Sequence, residues 1–368
     1  MNPGIYIHLP FCSVHCTYCD FPLTTRVSLS DRYYSALLRE IDQRRPETMA
    51  DTLYFGGGTP SLTPARILKE IRERFALVRD SEITMEANPD DIDRQRIHEW
   101  KHAGINRLSV GVQSLEPAVL RCLLRKHDAD TARHALADAR NSGCSNLNID
   151  LMIGCPEQTS LGFLGGLREL IDFHPDHFSL YLLEIHENTA LAKQLQDGRL
   201  RIMEENEQVD CYSEAITVLK QAGFDHYEVS NFALPGKQSI HNLKYWSSAE
   251  YFGFGAGAAS YVDGVRNTNQ RSIETYIRCV EEMRSPVETE SKEDAETKMR
   301  NALIFGLRKT RGINLKEFES EFAVPALMLF GESADTFLEN RWLEIHEETL
   351  RLTLSGMLLS NEILSVIV

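Results

Sequence analysis

Short apolar runs alternate with longer amphipathic stretches through the first half of the chain. Gly4–His8, Thr52–Phe55, Glu82–Ala87, Arg107–Val112, Asn146–Met152 and His177–Leu183 read as strands. Stretches near residues 31–43, 64–75, 94–103, 130–142 and 161–173 carry apolar residues at helical spacing. Ser30 and Thr63 stand where N-caps belong, and Gly104 and Gly143 stand where helices end. Strand–helix alternation predicts a parallel sheet with right-handed crossovers. Six strands with helices between them predict an α/β fold, a partial (β/α)6 TIM-like barrel. In barrels of this kind the chemistry sits at the C-terminal ends of the strands.

The pattern changes after Leu183. Glu204–Gln221 reads as one long helix, and Tyr227–Ala233 as a short strand and loop. The block His241-Asn-Leu-Lys-Tyr-Trp246 comes next, then a run of small residues, Gly253–Tyr261. The polar run Ser285–Lys298 predicts a boundary. Beyond it, Met299–Arg308, Leu315–Phe322 and Ala326–Glu339 read as helices, Leu343–Thr353 as a hairpin and Ser355–Val366 as a closing helix. Helices and then a hairpin predict a small winged-helix-like C-terminal domain.

The loops at the strand ends carry the candidate chemistry. After the first strand comes Cys12-Ser-Val-His-Cys16-Thr-Tyr-Cys19, three cysteines in eight residues. Three thiolates in one loop suit a 4Fe–4S cluster with one iron left open to a small molecule. The competing reading is a structural zinc site with His15 as fourth ligand. The second strand runs into Gly56-Gly57-Gly58-Thr59-Pro60, where glycines let the backbone approach a ligand. The third ends in Glu86-Ala-Asn-Pro, the fourth in Gly111-Val-Gln113-Ser, and the fifth carries Asp150. Five successive strand ends thus aim polar or glycine-rich groups at one rim.

Composition narrows the function classes. The 368 residues, 42% of them hydrophobic, suffice for a barrel with a smaller unit beside it. A net charge of −15 argues against a nucleic-acid partner. Five cysteines lie outside the triplet (Cys122, Cys144, Cys155, Cys211 and Cys279) and form no disulfide framework, so all eight read as reduced thiols of a cytoplasmic protein. The N-terminus shows no signal peptide, and no run is long enough to be an integral membrane segment.

Cys12-x3-Cys16-x-Tyr18-Cys19 with Gly56-Gly-Gly-Thr-Pro60 resembles the radical S-adenosylmethionine (SAM) superfamily. Glu86-Ala-Asn-Pro, Asn106-Arg-Leu-Ser-Val-Gly-Val-Gln113, Asn148-Ile-Asp150-Leu-Met and His241-Asn-x-x-Tyr-Trp246 resemble the heme chaperone HemW family, relatives of oxygen-independent coproporphyrinogen III oxidase (HemN). The resemblance runs nearly end to end and divides the chain at 1–205 (radical SAM partial barrel), 206–290 (accessory segment packed on the barrel) and 291–368 (C-terminal HemN-like domain). It implies that Cys12, Cys16 and Cys19 hold the cluster. It implies that Gly57, Gly58, Thr59, Glu86, Gln113, Arg125 and Asp150 contact SAM, with Tyr18 on the adenine and Tyr6 beside the cluster. His241 is the implied heme ligand, flanked by Tyr245 and Trp246. The implied partner is a heme acceptor protein, with room for an electron donor such as a flavodoxin or ferredoxin and for peripheral association with a membrane.

Two departures separate the chaperones from the oxidases. The oxidases continue as Cys-x-Cys after the third ligand, where this chain has Phe21, and they carry a long extension before the first strand. Both favour heme binding and transfer over oxidative decarboxylation of porphyrinogen propionates. The family's usual His-Gly is Ala259-Ser260 here, and its Gly-Leu-Pro is Gly154-Cys155-Pro156.

Overall fold

A computed structural model describes residues 2–367. The six expected strands form in order with the five expected helices and one short extra helix, α4, between them: β1 (Gly4–Leu9), α1 (Ser30–Arg44), β2 (Ala50–Gly57), α2 (Ala65–Arg72), β3 (Leu77–Ala87), α3 (Arg94–His102), β4 (Arg107–Gln113), α4 (Pro117–Cys122), α5 (Ala129–Asn141), β5 (Leu147–Ile153), α6 (Ser160–Ile171) and β6 (His177–Leu182). Adjacent strands from β1 to β6 pair in parallel.

The chain then adds α7 (Ala190–Gln196), α8 (Glu205–Gln221), β7 (Asp225–Glu228), β8 (Asn231–Ala233), α9 (Ile240–Trp246), β9 (Tyr251–Phe254), β10 (Ala259–Val262), β11 (Val265–Asn269), α10 (Ile273–Glu281) and β12 (Val287–Lys292). Their strands extend the same sheet at both edges, in the order β12-β11-β10-β9-β1-β2-β3-β4-β5-β6-β8-β7. The sheet curls without closing, so the barrel is partial. The polar run at Ser285–Lys298, expected as a boundary, contains the edge strand β12; its charges face water, as an edge strand requires.

The remainder is α11 (Ala295–Leu307), β13 (Ile313–Asn314), α12 (Leu315–Phe322), α13 (Ser333–Glu339), β14 (Leu343–His346), β15 (Thr349–Leu352), α14 (Leu354–Leu358) and α15 (Ser360–Ser365). The expected hairpin is β14–β15, widened by β13. It packs with the helices around a second core that includes Leu303, Leu307, Phe330 and Ile363. Two expected helices are broken. A 3-10 turn at Ala326–Phe330 ends on Gly331 before α13 starts, and Leu359 interrupts the closing helix.

Alternation along β1–β6 sorts side chains between two faces. Ile5, Ile7, Leu53, Phe55, Ile83, Met85, Leu108, Val110, Ile149, Phe178 and Leu180 join the core under the helices. The residues between them are polar: Tyr6, His8, Tyr54, Thr84, Glu86, Ser109, Asn148, Asp150, His177 and Ser179. They hydrogen-bond across the concave side, as in Ser109 Oγ to Asp150 Oδ2 (2.9 Å) and Asn148 Nδ2 to Ser179 Oγ (3.0 Å).

Helix starts depart from expectation. Ser30 is the first residue of α1 and Thr63 lies two residues before α2; neither side chain caps its helix. Thr63 instead accepts a hydrogen bond from Tyr34, 3.3 Å away. Between β1 and β6 the side-chain caps that form are Asp93, Asp128 and Thr159. Gly104 and Gly143 do take left-handed conformations, with φ of 101° and 73°.

Candidate functional site

A cavity of about 600 Å³ opens at the C-terminal ends of the parallel strands. Cys12, Cys16, Tyr18, Cys19, Gly57, Gly58, Thr59, Glu86, Gln113, Arg125 and Asp150 all line it. The expected residues are therefore gathered in one place, with two exceptions.

The cysteine loop leaves β1 and is anchored by backbone bonds, Cys12 N–H to Thr24 O (3.0 Å) and Thr17 N–H to Leu123 O (3.4 Å). Its three thiols are unpaired. The Thr59 hydroxyl donates to Cys12 Sγ at 3.3 Å, and Arg125 Nη1 lies 3.8 Å from Cys16 Sγ. Burial and the neighbouring thiols push Cys19 up to about 11 and raise Cys12 as well. Among the described residues, no three His, Cys, Asp or Glu side chains gather around a single ion position. His15 turns away, its Nε2 bonded to the Cys19 carbonyl at 3.0 Å.

The glycine loop is shaped by close approach. Gly57 has φ of 114°, and a Cβ there would stand 2.6 Å from the His8 ring. A Cβ on Gly58 would stand 2.7 Å from the Pro10 carbonyl carbon and 3.0 Å from Cys12 Sγ. The loop is thereby pressed against the chain entering the cysteine segment.

Glu86 reaches the cavity from β3. Its Oε1 accepts from the Tyr54 hydroxyl (2.8 Å) and its Oε2 from the Gly57 amide (3.1 Å). Burial pushes its carboxyl up to about 7 against the Tyr54 hydrogen bond, and the Asp150 charge adds to the rise. Asp150, on β5, accepts from Ser109 (2.9 Å) and Asn148 (2.7 Å), and burial raises it too. Arg125 is held by Asn88 Oδ1 (2.5 Å) and the Gly111 carbonyl (2.7 Å). Tyr18 packs on the small apolar group of Val119, Leu123, Met152 and Cys155.

Tyr6 and His241 do not line this cavity. The Tyr6 hydroxyl bonds His8 Nδ1 at 3.2 Å inside the barrel, and its ring lies over Tyr54 and His241. His241 sits at the opposite, N-terminal end of the strands. It is 1% exposed, with Nδ1 on Thr52 Oγ1 (2.8 Å) and Nε2 on the Tyr245 hydroxyl (2.9 Å). Glu82 accepts the amides of Ile240 and His241 (3.1 Å each), and Lys244 pairs with Asp51 (2.6 Å). The His241–Trp246 block is thus a plug in the base of the barrel, and both imidazole nitrogens are already committed.

Sequence reasoning missed Asn88, Tyr54 and Ser109, which hold Arg125, Glu86 and Asp150. A signal existed. Each lies two residues from a residue already singled out or directly across the sheet from one, as period-2 strands require. It also missed Arg308, Met357, Ser360 and Asn361, which line the cavity from the C-terminal segment. Nothing in the sequence marks that long-range approach.

The radical SAM superfamily model matches residues 6–163, and the HemN C-terminal domain model matches residues 294–359. The chain is 32% identical to the heme chaperone HemW of Bacillus subtilis, over 97% of both chains. Its identity to the Lactococcus lactis heme chaperone HemW is 32%, over 97% of this chain and 95% of that one, and to the Escherichia coli protein 36%, over 75% of each. The solved coproporphyrinogen III oxidase (HemN) of Escherichia coli superposes with a TM-score of 0.86 at 24% identity, over all of this chain and 90% of that one.

Proposed function

The chain belongs to the heme chaperone HemW family, and from that premise we propose that it binds heme and delivers it to an acceptor protein. In this reading Cys12, Cys16 and Cys19 hold a 4Fe–4S cluster and the cavity beside them takes SAM. The observation that carries it is the near end-to-end likeness to heme chaperones, together with Phe21 in place of the oxidases' cysteine. Phe21 lies on the cavity wall and is 61% exposed.

The residues fit the two groups. Three unpaired thiols in one loop, not converging on a single ion, suit a cluster whose ligands sit on different irons better than tetrahedral zinc. Burial raises the Cys12 and Cys19 thiols, and metal binding would release their protons. When bound, the cluster supplies an open iron and one electron, and SAM is the molecule whose amino and carboxylate groups that iron takes. Arg125 offers its guanidinium to the carboxylate. Glu86 and the Gly57–Gly58 backbone would accept from the N–H groups of the amine and meet the sulfonium charge, and Asp150 and Gln113 would offer acceptors for ribose hydroxyls.

The raised Glu86 pKa sets a pH dependence. The protonated carboxyl is the form that burial favours, so its contribution to stability is full below the ordinary range and is lost as pH rises through about 7. A cationic ligand reverses the preference, because it stabilises the carboxylate. SAM affinity of the cluster-loaded protein is expected to rise about tenfold from about pH 5.5 to about pH 7, and Glu86→Gln to flatten the rise. Anaerobic titration calorimetry measures it; an unchanged slope in the variant removes Glu86 from the SAM site.

Hemin titration of the cluster-loaded protein tests the function itself. A Soret band saturating at one heme per chain is expected. Its absence refutes the chaperone reading, as does anaerobic conversion of coproporphyrinogen III in the presence of reductant and SAM.

A further inference from the structure

The residues assigned to the cluster and to SAM are joined by a side chain that has no such assignment, Asn88, in the loop after β3. Its Oδ1 accepts from Arg125 Nη2 at 2.5 Å, and its Nδ2 donates to Thr59 Oγ1 at 3.3 Å. The Thr59 hydroxyl in turn lies 3.3 Å from Cys12 Sγ. Arg125, Asn88, Thr59 and Cys12 thus form one continuous chain, drawn from four separate segments at the strand ends.

The direction of every bond in this chain follows from one end. A guanidinium carries donors only, so the Asn88 atom that faces Arg125 is the carbonyl oxygen, and the NH2 group is turned to Thr59. Thr59 Oγ1 accepts that bond, and the one proton of its hydroxyl goes to Cys12 Sγ. A thiolate that holds iron has no proton of its own and can only accept. Backbone bonds set the separation. Thr59 N–H donates to the Phe11 carbonyl and Gly58 N–H to the Leu9 carbonyl, each at 2.9 Å, so the glycine loop is laced to the entrance of the cysteine loop. Thr59 and Cys12 are both buried, which keeps water from competing for the proton.

We infer that Asn88 is a positioning residue that holds the Thr59 hydroxyl on the Cys12 sulfur, and that this bond raises the reduction potential of the cluster. The inference rests on the cluster reading of Cys12, Cys16 and Cys19. An added electron makes the ligand sulfurs more negative, so a donor already aimed at one of them stabilises the reduced state more than the oxidised one. Arg125 has a second hold, because the Gly111 carbonyl also accepts from its Nη2 at 2.7 Å. Loss of the Asn88 amide therefore frees the hydroxyl while the guanidinium keeps a partner.

The test is the midpoint potential of the reconstituted cluster without SAM, titrated anaerobically and read from the EPR signal of the reduced form. Thr59→Val is expected to lower it by about 59 mV, a tenfold loss in the one-electron reduction equilibrium, and Thr59→Ser to keep the wild-type value. Asn88→Leu is expected to cost about threefold in the same equilibrium, and to add nothing in the Thr59→Val background. Additive losses in the double variant overturn the positioning role of Asn88. A Thr59→Val equilibrium within about twofold of wild type overturns the role of the bond. If Thr59→Val takes up no iron, Asn88→Leu carries the comparison, because it leaves both loops unaltered; an unchanged potential there overturns the inference. A wild type that assembles no cluster refutes the cluster reading itself.

Discussion

Replacing any one of Cys12, Cys16 and Cys19 with serine is expected to abolish the visible chromophore of the anaerobically reconstituted protein. Bound iron is expected to fall from about four per chain to below about one. The expected effect is all-or-none because in the proposed cluster each thiolate would hold a different iron, and a hydroxyl in that position neither deprotonates nor binds iron comparably. Cys122→Ser is the control. Cys122 is a free thiol beside the loop in space, since its carbonyl accepts from Thr17 Oγ1 at 2.9 Å, but it does not line the cavity. It is expected to keep full iron. Iron and zinc analysis with absorbance decides the matter. Retained iron in the triplet variants, or zinc in its place, overturns the cluster assignment.

Glu40→Ala is expected to destabilise the fold by about 3–5 kcal/mol, read as the shift of the urea unfolding midpoint. Glu40 is fully buried on α1 and does not line the cavity at the strand ends. Its Oε1 accepts from Arg44 (2.5 Å) and Asn269 (2.7 Å), and its Oε2 from the Gly255 amide (2.9 Å) and Tyr276 (2.6 Å). Deleting the carboxylate leaves four donors without their acceptor, one of them a guanidinium. Two turns earlier, Tyr33 donates to the His8 carbonyl (2.8 Å) and accepts from the Ala256 amide (3.0 Å). α1 therefore clamps the end of β1, from which the cysteine loop departs, to the loop between β9 and β10. Glu40→Gln, which keeps an acceptor oxygen, is expected to cost about half as much. A loss below about 1 kcal/mol in Glu40→Ala contradicts this account.

The parallel half of the fold is legible in the sequence because each strand is apolar on the face that meets the helices. Six strands stand within a few residues of their expected places, and the cysteine loop, the glycine loop, Glu86, Gln113, Arg125 and Asp150 meet at one rim. The expected caps at Ser30 and Thr63 fail because a hydroxyl near a helix start has several partners available, and for Thr63 a tertiary partner, Tyr34, wins. The strand β12 reads as a linker because an exposed edge strand is as polar as a loop. That both His241 nitrogens are hydrogen-bonded is not legible in the sequence, because a histidine beside two aromatics reads the same whether its nitrogens are free or engaged.

The sequence by itself determined the order of the strands, the three thiols at the end of the first, and the family to which the chain belongs. These depend on local spacing and alternation, which survive in one dimension. The tertiary structure alone decided which polar residues face the cavity, that the C-terminal segment brings Arg308 to its wall, that Glu40 ties α1 to the sheet edge, and that Asn88 joins Arg125 to Thr59. Those outcomes depend on contacts between residues far apart in the chain, where burial and the partner already taken decide whether a side chain supports the fold or remains free to bind.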